Sequence, residues 1–149
     1  MDKLVVLSGA LFVACFFAVY LYNVSSPGSE YCFEAPYHFK VGEFASITNS
    51  YFFVFITSLL FFGFAAPLAL AVEGLKYGSL FSLHALPAFD LLFFVPQALA
   101  CRSAILVGES ALEDFAGRGS FYANWRRAFK YFMASLVLLG VLLVARGFF

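Results

Sequence analysis

An all-α, polytopic transmembrane bundle of about five spans, with one hairpin broken at proline, is what this sequence predicts. Three observations carry the expectation. The chain of 149 residues is 63% hydrophobic and 12% charged, where a soluble domain carries about 25% charged residues, and its mean hydropathy is +0.91. Its apolar runs have lengths that suit a bilayer: the 22 residues from Tyr51 to Val72 hold no charge and reach about 33 Å as helix, enough for a hydrocarbon core of roughly 30 Å. The charges sum to zero but gather between the runs, where their placement orients a membrane protein. The whole of 1–149 is therefore expected to form a single integral membrane domain.

Met1-Asp2-Lys3 leads into the first span, approximately 4–24. The apolar part of a cleaved signal peptide is about 7 to 15 residues long and ends at a small-x-small site. This run of 21 residues is longer and lacks such a site, so it is expected to remain as an anchor, with Tyr20 and Tyr22 at its interfacial end. Ser25 to Asn49 is polar: Pro27, Gly28 and Pro36 mark turns, and Glu30, Glu34 and Glu43 outnumber Lys40. Phe44, Ile47 and Tyr51 then recur at i, i+3, i+7, which predicts a helix that starts at the membrane surface and feeds the second span, 51–72. Pro67 is expected to kink that span.

Leu75 to Val107 is 33 residues long, about 50 Å as one helix, which one span cannot absorb. Leu86-Pro87-Ala88-Phe89-Asp90 is the natural break and divides the stretch into spans 75–86 and 91–107, the first only about 18 Å long. From Gly108 to Lys130 the chain turns polar. Phe121, Trp125 and Phe129 recur every four residues beside Arg126, Arg127 and Lys130; with Arg118 they predict a helix over 119–130 lying in the headgroup plane, each cation near an anionic leaflet contributing about 1 kcal/mol. Span 131–146 closes the bundle. So short a basic cluster beside a span points to lipid and not to nucleic acid. The expected partners are the bilayer and other membrane subunits or a second copy of the chain.

A cytoplasmic N-terminus and an outside C-terminus satisfy the positive-inside rule in the cell membrane. Lys3, Lys76, Arg118, Arg126, Arg127 and Lys130 then lie inside, and Lys40 and Arg146 outside.

Catalytic patterns fail on inspection. Gly108-Glu109-Ser110-Ala111-Leu112 lacks the final Gly of a nucleophile elbow, and Gly117-Arg118-Gly119 lacks the third Gly of a dinucleotide loop. An intramembrane protease would want a Ser/His pair or two Asp inside spans. His38 and His84 have no third ligand at a recognisable spacing, and Cys15, Cys32 and Cys101 form no metal or redox spacing. No catalytic residue, cofactor or metal is expected. The informative residue is Arg102, about 9 Å inside its span, where a charge must be paired or snorkel. Glu109, seven residues on, and Glu73 are its candidate partners. Gln97 is expected to hydrogen-bond across helices, while Asp90 and His84 flank the Pro87 turn. Gly74 and Gly78 form a G-x-x-x-G that permits close helix approach.

The order Phe44-x-x-Ile47-x-Asn49-Ser50, then Glu73-Gly74-x-x-x-Gly78, then a span centred on Pro96 and a closing helix resembles the stage II sporulation protein M family of polytopic membrane proteins, over roughly residues 40 to 146. Glu73 stands where that family has Asn, and the stretch from Pro96 keeps only the proline of the family's P-H-G-x-x-E. Gly74, Gly78 and Pro96 therefore transfer as packing and turn positions. The resemblance implies a non-enzymatic membrane component that works within a complex. The expected function is accordingly a membrane subunit or scaffold. The alternative, a small transporter or permease component with a polar site around Arg102, Gln97 and Glu73, requires those three to line one water-accessible cavity.

Overall fold

The computed structural model describes residues 2–26, 42–61, 63–82, 88–117 and 121–146. The expectations placed on Cys32, His38, Lys40, His84, Pro87 and Arg118 concern residues outside this set. Among the described residues the chain forms five helices and no strand: α1 (Asp2–Ser25), α2 (Gly42–Leu60), α3 (Ala66–Ser82), α4 (Phe94–Phe115) and α5 (Phe121–Arg146), with a 3₁₀ turn, Ala88–Phe93, leading into α4. Three stretches are long and apolar enough to cross a membrane: Lys3–Ser25, Phe89–Phe115 and Asn124–Arg146. The apolar part of α2, Ile47–Leu60, is shorter.

Contacts fix the helix directions. Gly74 and Gly78 of α3 lie against Phe12 and Phe16 of α1, and Ser82 meets Asn23, so residue numbers rise together and α1 and α3 run parallel. Ser50 of α2 meets Glu73, and a short turn joins the two helices, which makes α2 and α3 antiparallel. Ser58 beside Cys101 and Gly63 against Ile105 set α2 parallel to α4. Ser103 bonds the Ala128 carbonyl while Glu113 meets Asn124, so α4 and α5 are antiparallel. The described helices thus alternate up and down, with α1 packed chiefly on α3 and α4 on α5.

Three expected boundaries are corrected. Tyr51 to Val72 is two helices, divided near Gly63, whose φ of +82° is a left-handed conformation open to glycine at little steric cost. A side chain there would also begin 2.5 Å from the Ile105 Cα. The turn meets its own backbone needs, with Gly63 N–H donating to the Ser58 carbonyl at 2.7 Å and Ala66 N–H to Gly63 at 3.2 Å. It can therefore be built from apolar residues. Pro67 is the second residue of α3 and starts a helix instead of kinking one, because first-turn N–H groups have no intrahelical partner to lose. The helix expected over 75–86 is α3, 66–82, which moves Glu73-Gly74 from between two helices, and Lys76 from a helix end, to the centre of one helix. Finally, the surface helix at 119–130 and the span at 131–146 are one continuous α5. The charged residues Glu109, Glu113 and Asp114 lie within α4, which runs on to Phe115. Pro96 sits in the first turn of α4; its ring crowds the carbonyl four residues back, which accounts for the 3₁₀ geometry just before it.

Beside an apolar core that includes Val54, Leu70, Phe93 and Ile105, several polar side chains are buried and many large apolar ones are exposed. Glu73 and Gln97 are 3% and 1% exposed, and Ser58, Ser103 and Ser135 are buried, whereas Val6 and Leu60 are 71% and 70% exposed and Phe17, Val137 and Val144 also face outward. The closest helix contact is the seam between α1 and α3. A Cβ on Gly74 would lie 2.4 Å from the Phe12 carbonyl oxygen, and one on Gly78 2.4 Å from that of Phe16. Both neighbours are backbone and cannot step aside.

Gly74→Ala and Gly78→Ala are expected to destabilise the bundle by about 1–3 kcal/mol, the usual range for overpacking. Gly140→Ala, where a Cβ meets nothing within 4 Å, should not. Thermal unfolding in mild detergent, followed by intrinsic fluorescence, measures the difference; three equal melting curves would mean that the seam is loose.

Candidate functional site

The interior polar cluster begins on α3. Glu73 is the eighth of its 17 residues and lies beside Gly74, which faces Phe12 near the middle of α1. Spacing of i, i+3 brings Lys76 onto the same side of the helix, and its Nζ lies 3.5 Å from Glu73 Oε2. Burial makes this pair consequential, with side-chain exposures of 13% for Lys76 and 4% for Glu73. Two neighbouring helices complete it. Ser50 of α2 accepts a hydrogen bond from Lys76 and donates to Glu73 Oε1 at 3.2 Å. Gln97 of α4 donates its Nε2 to Glu73 Oε2 at 3.4 Å. Lys76, Ser50 and Glu73 thus form a closed ring in which the serine hydrogen points at the carboxylate. Such a serine is a bridge between charges and not a nucleophile held by a lysine base.

Tyr77, 5% exposed, is within hydrogen-bonding reach of the Gln97 amide. It feels the charges of Glu73 on one side and of Asp90 and Arg146 on the other. Asp90 and Arg146 form a second buried pair, 2.9 Å apart, with side chains 3% and 12% exposed. Asp90 is therefore locked to the last turn of α5 and not poised at a surface turn. Elsewhere, polar side chains fasten helices pairwise. Tyr51 donates to Ser135 at 2.5 Å, since the serine hydrogen goes to the Phe132 carbonyl at 2.7 Å. Asn23 donates to Ser82 at 2.7 Å, and Ser103 to the Ala128 carbonyl at 2.8 Å.

The structure brings Gln97 to Glu73 but leaves Arg102 elsewhere. Five residues along α4 turn it about 140° away from Gln97, and its guanidinium stands 5.9 Å from the Tyr131 ring centroid on α5, a cation–π contact that stabilises a charge in an apolar setting. Glu73 is occupied by Lys76, Ser50 and Gln97, and the half-buried Glu109 forms no ion pair among the described residues. Neither therefore serves Arg102. Trp125, Arg126, Arg127 and Lys130 are exposed on the first half of α5. Gly74 and Gly78 line the α1 seam, and Pro96 is buried at the start of α4. Sequence reasoning missed Ser50 and Lys76 as members of the cluster. The available signal was the i, i+3 spacing of Glu73 and Lys76, which matters only if both lie within one helix.

No group of three or more His, Cys, Asp or Glu able to hold a metal occurs among the described residues. Cys15 and Cys101 are free thiols. A shallow, mostly apolar groove between α1 and α3 is lined by Ala18, Val19, Tyr22 and Leu75. Comparison with family models, curated proteins and solved structures finds no match for this chain.

Breaking the central pair from one side should cost far more than removing it. Glu73→Leu or Lys76→Met alone leaves a buried charge without its partner and is expected to cost about 3–5 kcal/mol, while the two together should cost less than either alone. A double-mutant cycle on thermal unfolding tests this; additive losses would show that the two charges do not depend on each other.

Proposed function

We propose that this chain is a non-enzymatic integral membrane subunit, a five-span scaffold that works inside a larger membrane complex in the manner the stage II sporulation protein M resemblance implies. The observation that carries the proposal is the pattern of burial: charged and hydroxyl side chains are paired inside while many Val, Leu and Phe face outward. That arrangement is stable where the surroundings are hydrocarbon. The 19 residues of α2 and 17 of α3 reach about 28 and 26 Å, near the thickness of a bilayer core, so that all five helices serve as spans in this proposal. Lys3, Arg126, Arg127 and Lys130 then mark the cytoplasmic end and Arg146 the opposite one. Lys76, paired at mid-bundle, counts for neither side.

A transport role draws no support from the cluster. Glu73 and Gln97 close a buried helix contact, with Arg102 turned toward another helix. What the cluster does well is hold α2, α3 and α4 in register, the task of a rigid subunit.

Two measurements test the proposal. The intact chain should stay with the membrane pellet through a carbonate wash, with reporters on the two termini on opposite sides. In mild detergent it should copurify with a stable membrane partner, and isolation as a lone monomer after crosslinking would count against a scaffold. A cysteine placed at Gln97 should resist a membrane-impermeant maleimide; rapid labelling there would favour transport.

A further inference from the structure

The unbroken α5 gives its cations a geometry that a helix lying in the headgroup plane would not. Ala128 and Ser135 mark its buried side. At 100° per residue, Arg126, Lys130, Arg127 and Tyr131 fall within an arc of about 140° on one flank, while Trp125, Phe129 and Met133, all exposed, lie on the other. Arg126 and Arg127 stand about 3 to 5 Å along the apolar stretch that starts at Asn124, and Lys130 about 9 Å along it. Helical side chains lean toward the N-terminus, and lysine snorkels, so Lys130 reaches back to the level of the two arginines. All three are exposed, and none has an ion-pair partner among the described residues. Lys76 and Arg146, by contrast, each face a carboxylate. The nearest acids by register are on α4: Glu113, which accepts a hydrogen bond from Asn124 at 3.0 Å, and the half-buried Glu109.

We propose that Arg126, Arg127 and Lys130 hold the phosphate of an anionic phospholipid, with its acyl chains lying along the exposed Val137 and Val141 of α5. Three exposed cations on one flank fit a phosphate, and Val137 and Val141, which follow them along the same flank, fit the tails that a soluble anion lacks. This site rests on the membrane proposal above. The test is incorporation into nanodiscs of phosphatidylcholine alone or mixed with phosphatidylglycerol, with lipid retained after mild detergent counted by native mass spectrometry. The wild-type chain should retain phosphatidylglycerol over phosphatidylcholine by a ratio on the order of tenfold. The variant with Arg126→Gln, Arg127→Gln and Lys130→Gln should lose that preference while melting at the wild-type temperature in phosphatidylcholine alone. A wild type without preference, or a variant that keeps it, overturns the site and leaves the membrane proposal standing. A chain that enters neither nanodisc overturns both.

Discussion

A carboxylate and an ammonium placed at the middle of an apolar bundle cannot remain there separately, because each alone is too costly to strip of water. Glu73 and Lys76 meet this constraint within one helix and then recruit Ser50 from α2 and Gln97 from α4. Much of the remaining interior follows the same rule. Where a polar side chain is buried, its partner tends to lie on a different helix, so satisfying the group also fixes a helix. Such bonds are individually modest inside a membrane, about 0.6 kcal/mol on average. Their value here lies in register, since sliding α3 by one turn would strand several of them together.

The two sides of α3 divide this work. Gly74 and Gly78 form a smooth stripe that lets the α1 backbone approach, and Glu73 and Tyr77, one position earlier on the wheel, carry polar atoms toward α2 and α4. Phe12 closes the junction above the seam, stacked 3.9 Å from Phe94 and tilted on Tyr77 at 6.0 Å. Close packing and polar pairing are alternative ways to join helices where hydrophobic burial gives no gain. This bundle combines the two, close packing at Gly74, Gly78 and Gly63 and polar pairing at Asn23–Ser82, Tyr51–Ser135 and the Glu73 cluster. Among the described residues the exposed surface consists largely of apolar side chains and the cations of α5.

Much of this architecture was legible in the sequence. The hydropathy of residues 4–24 and 131–146 announced long apolar helices, the excess length of 75–107 required a break, and Gln97 read as a group that bonds across helices. What the sequence alone determined is the set of terms that each residue carries by itself: its cost of desolvation, its helical periodicity, its tolerance for a turn. Residue by residue, Tyr51 to Val72 looks like one span and Glu73-Gly74 like the break before the next.

Only the tertiary structure decided otherwise, because the deciding energies are shared between residues far apart in the chain. Gly63 turns where Ile105 leaves no room for a side chain. Lys76 can sit at the centre of a helix because Ser50, 26 residues earlier, accepts its hydrogen bond, and Asp90 can be buried because Arg146 comes to it. Arg102 faces Tyr131 because the rotation of α4 that brings Gln97 to Glu73 carries the guanidinium to the opposite flank. A charge counts as a loop residue or as a bundle's fastening according to whether a partner arrives, and that is settled by the fold.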